Sequence, residues 1–193
     1  MTIKLILGLS GLLLTAHVCA QDVAPAPANE VASSPTAVVE VPYVALQRQW
    51  EQAKYNTPQA EREKALEALS NQAKAVLAEH PKDAPTLIWS AIVLSSYAGE
   101  KGGLGALSLV KEAKRLLEQA IEVDPNALNG SAYTSLGSLY YQVPGWPVGF
   151  GDSDVAREML DKALATAPDS IDANYFYGDF LLSEEDYAGA IEK

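Results

Sequence analysis

The run AREMLDKALATAP, residues 156–168, decides the fold, because its punctuation occurs twice more in the chain. Ala156-x3-Leu160-x2-Ala163-x4-Pro168 is matched by Ala113-x3-Leu117-x2-Ala120-x4-Pro125 and by Leu69-x3-Ala73-x2-Val76-x4-Pro81. Steps of three and four residues put these positions on one face of a helix. Small alanines let a neighbouring helix come close, leucine or valine fills the space beside them, and proline stops the helix where a new one must begin.

The segments between these stripes also match one another. Tyr133-x2-Leu136-Gly137-x2-Tyr140 returns as Asn174-x2-Tyr177-Gly178-x2-Leu181 and, more loosely, as Leu87-x2-Ser90-Ala91-x2-Leu94. A glycine inside a helix costs about 1 kcal/mol relative to alanine, so its place in this register marks a tight helix crossing. Apolar periodicity predicts helices over 43–56, 58–80, 84–98, 105–123, 129–142, 153–167, 170–183 and 186 to the end, with no strand. Together these patterns resemble the tetratricopeptide repeat, which stacks helix pairs A and B into a right-handed superhelix with a concave face. Residues 84–193 carry the resemblance, and 43–81 carry it more loosely. The expected fold is therefore all-α.

Two departures from that repeat are visible. Pro81 to Pro125 spans 44 residues and Pro125 to Pro168 spans 43, against a family period of about 34. The excess falls inside the pairs: Ala91 to Ala113 is 22 steps and Gly137 to Ala156 is 19, whereas Gly178 to Ala190 in the last unit is 12. The extra residues include Gly99–Gly105 in the first case and YYQVPGWPVGFGD, residues 140–152, in the second, and both are expected to be long intra-pair loops. In the second, Trp146 and Phe150 either plug the helix ends or close over a ligand.

The first forty residues set the compartment. Lys4 precedes an apolar run of signal-peptide length, and Val18-Cys19-Ala20 supplies small residues before a cut. Residues 1–20 are expected to be removed. Ala16 and Val18 are a poor setting for lipid attachment at Cys19, so a periplasmic protein starting at Gln21 is expected rather than a lipoprotein. Residues 21–42, rich in proline and alanine, read as a disordered linker to a domain over 43–193. Cleavage removes the only cysteine and leaves His80 as the one histidine. Disulfides, thiolate chemistry and two-histidine metal sites are thereby excluded. Losing Lys4 leaves 13 basic against 25 acidic residues, a net charge of 13 − 25 = −12, which repels nucleic acid and anionic membranes.

The remaining chemistry is sparse. Gly149-Phe150-Gly151 precedes a helix start, but Asp152 and Asp154 place cap oxygens and negative charge where a phosphate would sit. His80, just before Pro81, reads as a helix-end residue facing the negative dipole pole. No nucleophile motif, metal set or cofactor motif stands out. Leu136-Gly-x2-Tyr-Tyr, the Pro/Gly-rich loop ending Gly151-Asp152, and the helix closed by Ala167-Pro168 resemble the TatT family, the T-components associated with TRAP transporters. That resemblance, over roughly 105–183, implies a periplasmic helical-repeat protein assisting uptake of organic acids or other small ligands. Carried onto this sequence, the concave groove would present Thr134, Ser138 and Tyr141, with Tyr175 and Asp179 in the next unit, and Trp146 and Phe150 from the loop. The expectation is a non-catalytic binding protein with no cofactor, taking a small organic ligand or a protein partner. A scaffold for a cell-envelope protein is the alternative, and an enzyme would need an unforeseen carboxylate or tyrosine site. The helix from Tyr187 stops short of its siblings' pattern, so either the chain is truncated or a second chain covers the C-terminal face, as in a homo-oligomer.

Overall fold

A computed structural model describes residues 41–192. The signal peptide expected over 1–20 and all but the last two residues of the linker expected over 21–42 lie outside the described residues. Eight helices follow in order: α1 Pro42–Tyr55, α2 Gln59–Glu79, α3 Ala84–Lys101, α4 Gly103–Val123, α5 Ser131–Gln142, α6 Ser153–Thr166, α7 Ile171–Ser183 and α8 Tyr187–Ile191, with a 3-10 turn at Ala127–Gly130 before α5. Among the described residues there is no strand, only an isolated bridge between Gly145 and Gly151.

Each helix packs on the next, and α1 also touches α3, α3 touches α5 and α5 touches α7. The odd-numbered helices thus form one continuous inner layer, with the even-numbered ones alongside it. The repeated stripe is what is buried: Ala113, Leu117 and Ala120 on α4 and Ala156, Leu160 and Ala163 on α6 are all 0% exposed. Gly137 is needed where α5 crosses α6, since a Cβ there would stand 2.7 Å from Leu160 Cγ and 3.2 Å from the Ala156 carbonyl oxygen. Helix starts are capped as their sequences require: Asp83 accepts from the Thr86 amide at 2.9 Å, Asp152 from the amides of Asp154 and Val155 at 3.0 and 3.1 Å, and Ser170 from the Ala173 amide at 3.3 Å. His80 caps the C-terminal end of α2, its own amide donating to the Val76 carbonyl oxygen.

Polar tips on aromatic residues tie the helices together. Trp50 Nε1 donates to Ser96 Oγ at 2.7 Å (α1 to α3), Tyr97 to Glu67 at 2.9 Å (α3 to α2), and Tyr177 to Asp161 at 2.8 Å (α7 to α6). Each phenol or indole buries a large apolar body and still satisfies its donor.

The first expected intra-pair loop is not a loop. Helix α3 runs on to Lys101 and α4 begins at Gly103, leaving Gly102 as the whole connection. Gly102 and Gly103 take φ of +63° and +60°, which lets the chain reverse between two helices. The extra residues lengthen both helices instead, because Tyr97, Ala98, Leu107 and Val110 continue the apolar stripe on either side. Gly99 and Gly105 are absorbed into helix, since the burial of those stripes outweighs about 1 kcal/mol per mid-helix glycine.

Candidate functional site

The second insertion, 143–152, is a loop, and its backbone explains its composition. The Gly151 amide donates to Pro144 O at 3.0 Å, Asp152 N–H to Tyr140 O at 2.9 Å, and the Val148 and Gly149 amides both to Gly145 O at 3.1 Å. The loop closes on itself at a narrow neck. A Cβ on Gly151 would overlap the Val143 carbonyl oxygen, and one on Gly149 the Pro144 carbonyl. The glycines therefore serve close backbone approach, and the amides at the start of α6 are taken by Asp152.

Trp146 and Phe150 separate. Phe150 is half-buried, packs on the central core and meets Tyr140 edge-on at 5.5 Å, with Lys114 Nζ 5.8 Å from its ring centre. The buried Val143 belongs to the same core cluster, so Phe150 packs as the plug alternative requires. Trp146, at the tip, is 90% exposed beside Val148.

Tyr141 and Asp179 lie on α5 and α7 and face each other. The Tyr141 hydroxyl donates to Asp179 Oδ2 at 2.6 Å and accepts from Gln142 Nε2 at 3.1 Å. Its ring packs 5.6 Å from that of Phe180. Burial, then the Asp179 carboxylate, push the Tyr141 phenol well above its ordinary pKa, while hydrogen bonds from Gln142 and Ser138 pull the other way. A phenol held protonated in this way is a poor base or nucleophile. The pair is a structural link between neighbouring inner helices. Tyr175 is 66% exposed and stacks edge-on against Phe176 at 5.3 Å. Ile171, Leu182, Tyr187 and Ile191 are the other exposed large apolar residues of α7 and α8.

Thr134 lines a recess in the inner layer that the other residues expected in the groove do not border. That recess, about 260 Å³, is bordered by Tyr43 and Gln47 of α1, Trp89 of α3, Ser131 and Thr134 of α5, and Ser170 and Asp172 at the start of α7, with Leu128 and Asn129 from the turn before α5. All four inner helices contribute from their N-terminal halves. Leu128, Asn129 and Gly130 have φ of +48°, +57° and +74°, three successive left-handed residues of which two are not glycine. Such backbone is costly outside glycine and persists only where its surroundings enforce it. A shallower concavity of about 650 Å³ adjoins across the α6–α7 turn and shares Asn129, Ser170 and Asp172, adding Asp169.

Apart from Thr134, the residues that line this recess were not singled out in the sequence, and one signal could have found two of them. Ser131 and Asp172 occupy equivalent positions in the Tyr133 and Asn174 segments, two residues before each. Tyr43 and Trp89 lacked any such match. Among the described residues no cluster of His, Cys, Asp and Glu could hold a metal ion, and no helix is long and apolar enough to cross a membrane. No family model matches this chain, and no curated protein is matched by its sequence.

Proposed function

We propose that this is a non-catalytic binding protein that captures a small solute in the recess between the N-terminal halves of α1, α3, α5 and α7. One observation carries the reading: four successive inner helices converge two aromatic rings, four neutral hydrogen-bonding side chains and a carboxylate on one space of about 260 Å³. Sites for drug-sized ligands run to about 300–1,000 Å³, so the occupant is metabolite-sized. The layered pairs are compatible with a tetratricopeptide-like superhelix. Export to the periplasm, and a role beside a TRAP-type transporter, follow from the signal-like N-terminus and the resemblance to T-components. Thermal unfolding against a panel of small organic acids, amines and sugars tests the capture. A genuine ligand raises Tm in proportion to its saturation; no shift with any panel member counts against the reading. Genes for a TRAP permease and binding protein beside this one would support the transporter role.

The scaffold reading has its own support in Trp146, a 90% exposed indole on a self-closed loop. Tryptophan is the residue type most often found as an interface anchor. Replacing it with alanine would abolish capture of an envelope partner without touching solute binding.

A further inference from the structure

The recess and the concavity beside it carry charge of one sign only. Asp172 borders both, Asp169 borders the second, and no lysine, arginine or histidine lines either. Neither carboxylate takes part in an ion pair among the described residues. Helix dipoles commonly offset a carboxylate at a first turn, and Asp172 is so placed on α7. A bound organic acid would add a second negative charge beside it, within a protein whose net charge is already −11. That field concentrates cations and repels anions. The other components suit the same choice. Trp89 and Tyr43 offer aromatic surface to a cationic head, and Gln47 and Thr134 oxygens can accept from an ammonium or guanidinium group.

Resting on the solute-capture reading, we infer that the ligand is a small organic cation, an amine or quaternary ammonium compound, and not the organic acid that the transporter resemblance implies. Asp172 supplies the countercharge, with Trp89 and Tyr43 stacking the cationic end. Selectivity against acids then comes from the absence of any basic side chain to pair them.

The test is isothermal titration of the intact domain with putrescine, choline and arginine on one side and succinate, pyruvate and ribose on the other. At least one cation should bind, weaken as salt is raised, and lose about tenfold or more in affinity in Asp172→Asn, the scale of a hydrogen bond to a charged group. Asp172→Lys should abolish it, with the helical circular dichroism of both variants unchanged because the site is exposed. Binding of an acid or of ribose with no cation bound would overturn the cation inference and leave solute capture standing. Cation binding that is indifferent to both Asp172 variants would also overturn it. Binding of nothing in either group would sink both readings.

Discussion

The inner layer has two ends, and they are built differently. At the C-terminal ends of α5 and α7, Tyr141 and Asp179 meet at 2.6 Å and the Tyr141 ring packs on Phe180. At the N-terminal ends, Ser131, Thr134 and Asp172 face a space shared with Tyr43 and Trp89. Both sets are polar-tipped residues on the inner helices. One is closed by pairing across the helix interface, and the other is open and bordered by the left-handed turn at Leu128–Gly130. A polar side chain of the inner layer is thus either paired across the helix interface or left facing open space, according to whether its neighbour in the next helix reaches it.

The largest effect is expected where both ends depend on one crossing. Leu160→Ala removes the side chain that Gly137 packs against and should cost about 2–5 kcal/mol, read as a drop in denaturation midpoint with both ends affected. Next comes Phe150→Ala. Its half-buried ring and edge contact with Tyr140 should be worth about 1–3 kcal/mol, whereas Trp146→Ala should stay within about 0.5 kcal/mol. Equal costs for the two would mean that the loop tip is packed after all.

At the closed end, Tyr141→Phe strands the Asp179 carboxylate without its donor and should cost about 1–2 kcal/mol. The pH dependence carries a sign that separates this pair from a surface contact. The Tyr141 phenol is pushed up, so it holds its proton more tightly folded than unfolded. Its contribution is full below about pH 10, where the unfolded phenol ionises, and is lost as pH rises from there toward the folded value. Urea titrations from pH 8 to 11 should therefore show a shallower alkaline loss in Tyr141→Phe than in the parent. Identical slopes would remove the pair from the closed end. The smallest stability effect belongs to the open end: Asp172→Asn should shift unfolding by no more than about 0.5 kcal/mol while still changing what binds.

Much of the architecture was legible in the sequence, because the buried stripe of α4 and α6 is written in alanine, leucine and terminal proline at helical spacing. Gly137 announced its crossing in the same way. Gly99–Gly105 misled because glycine punctuation weighs local preference alone, while Tyr97, Ala98, Leu107 and Val110 supply burial that keeps the segment helical up to one reversal at Gly102. The candidate site was half legible. Thr134, Tyr141 and Asp179 were all singled out from their register, but the hydrogen bond between the last two shows only once their mutual distance is known. Asn129 could not be foreseen as a lining residue, since Asn-Gly signals left-handed backbone at two positions but nothing in Leu128 signals a third before them. Trp146 and Phe150 were read as one unit, and only the closed neck of the loop shows that they turn opposite ways.

An amide NMR titration of the domain with putrescine tests the central claim most directly, because it reads both ends of the inner layer at once. The account predicts shift changes that cluster at Asn129, Ser131, Ser170 and Asp172 and leave Tyr141 and Asp179 unmoved. Changes centred on Tyr141 and Asp179, or a spectrum unchanged by putrescine and equally by choline and arginine, would contradict it.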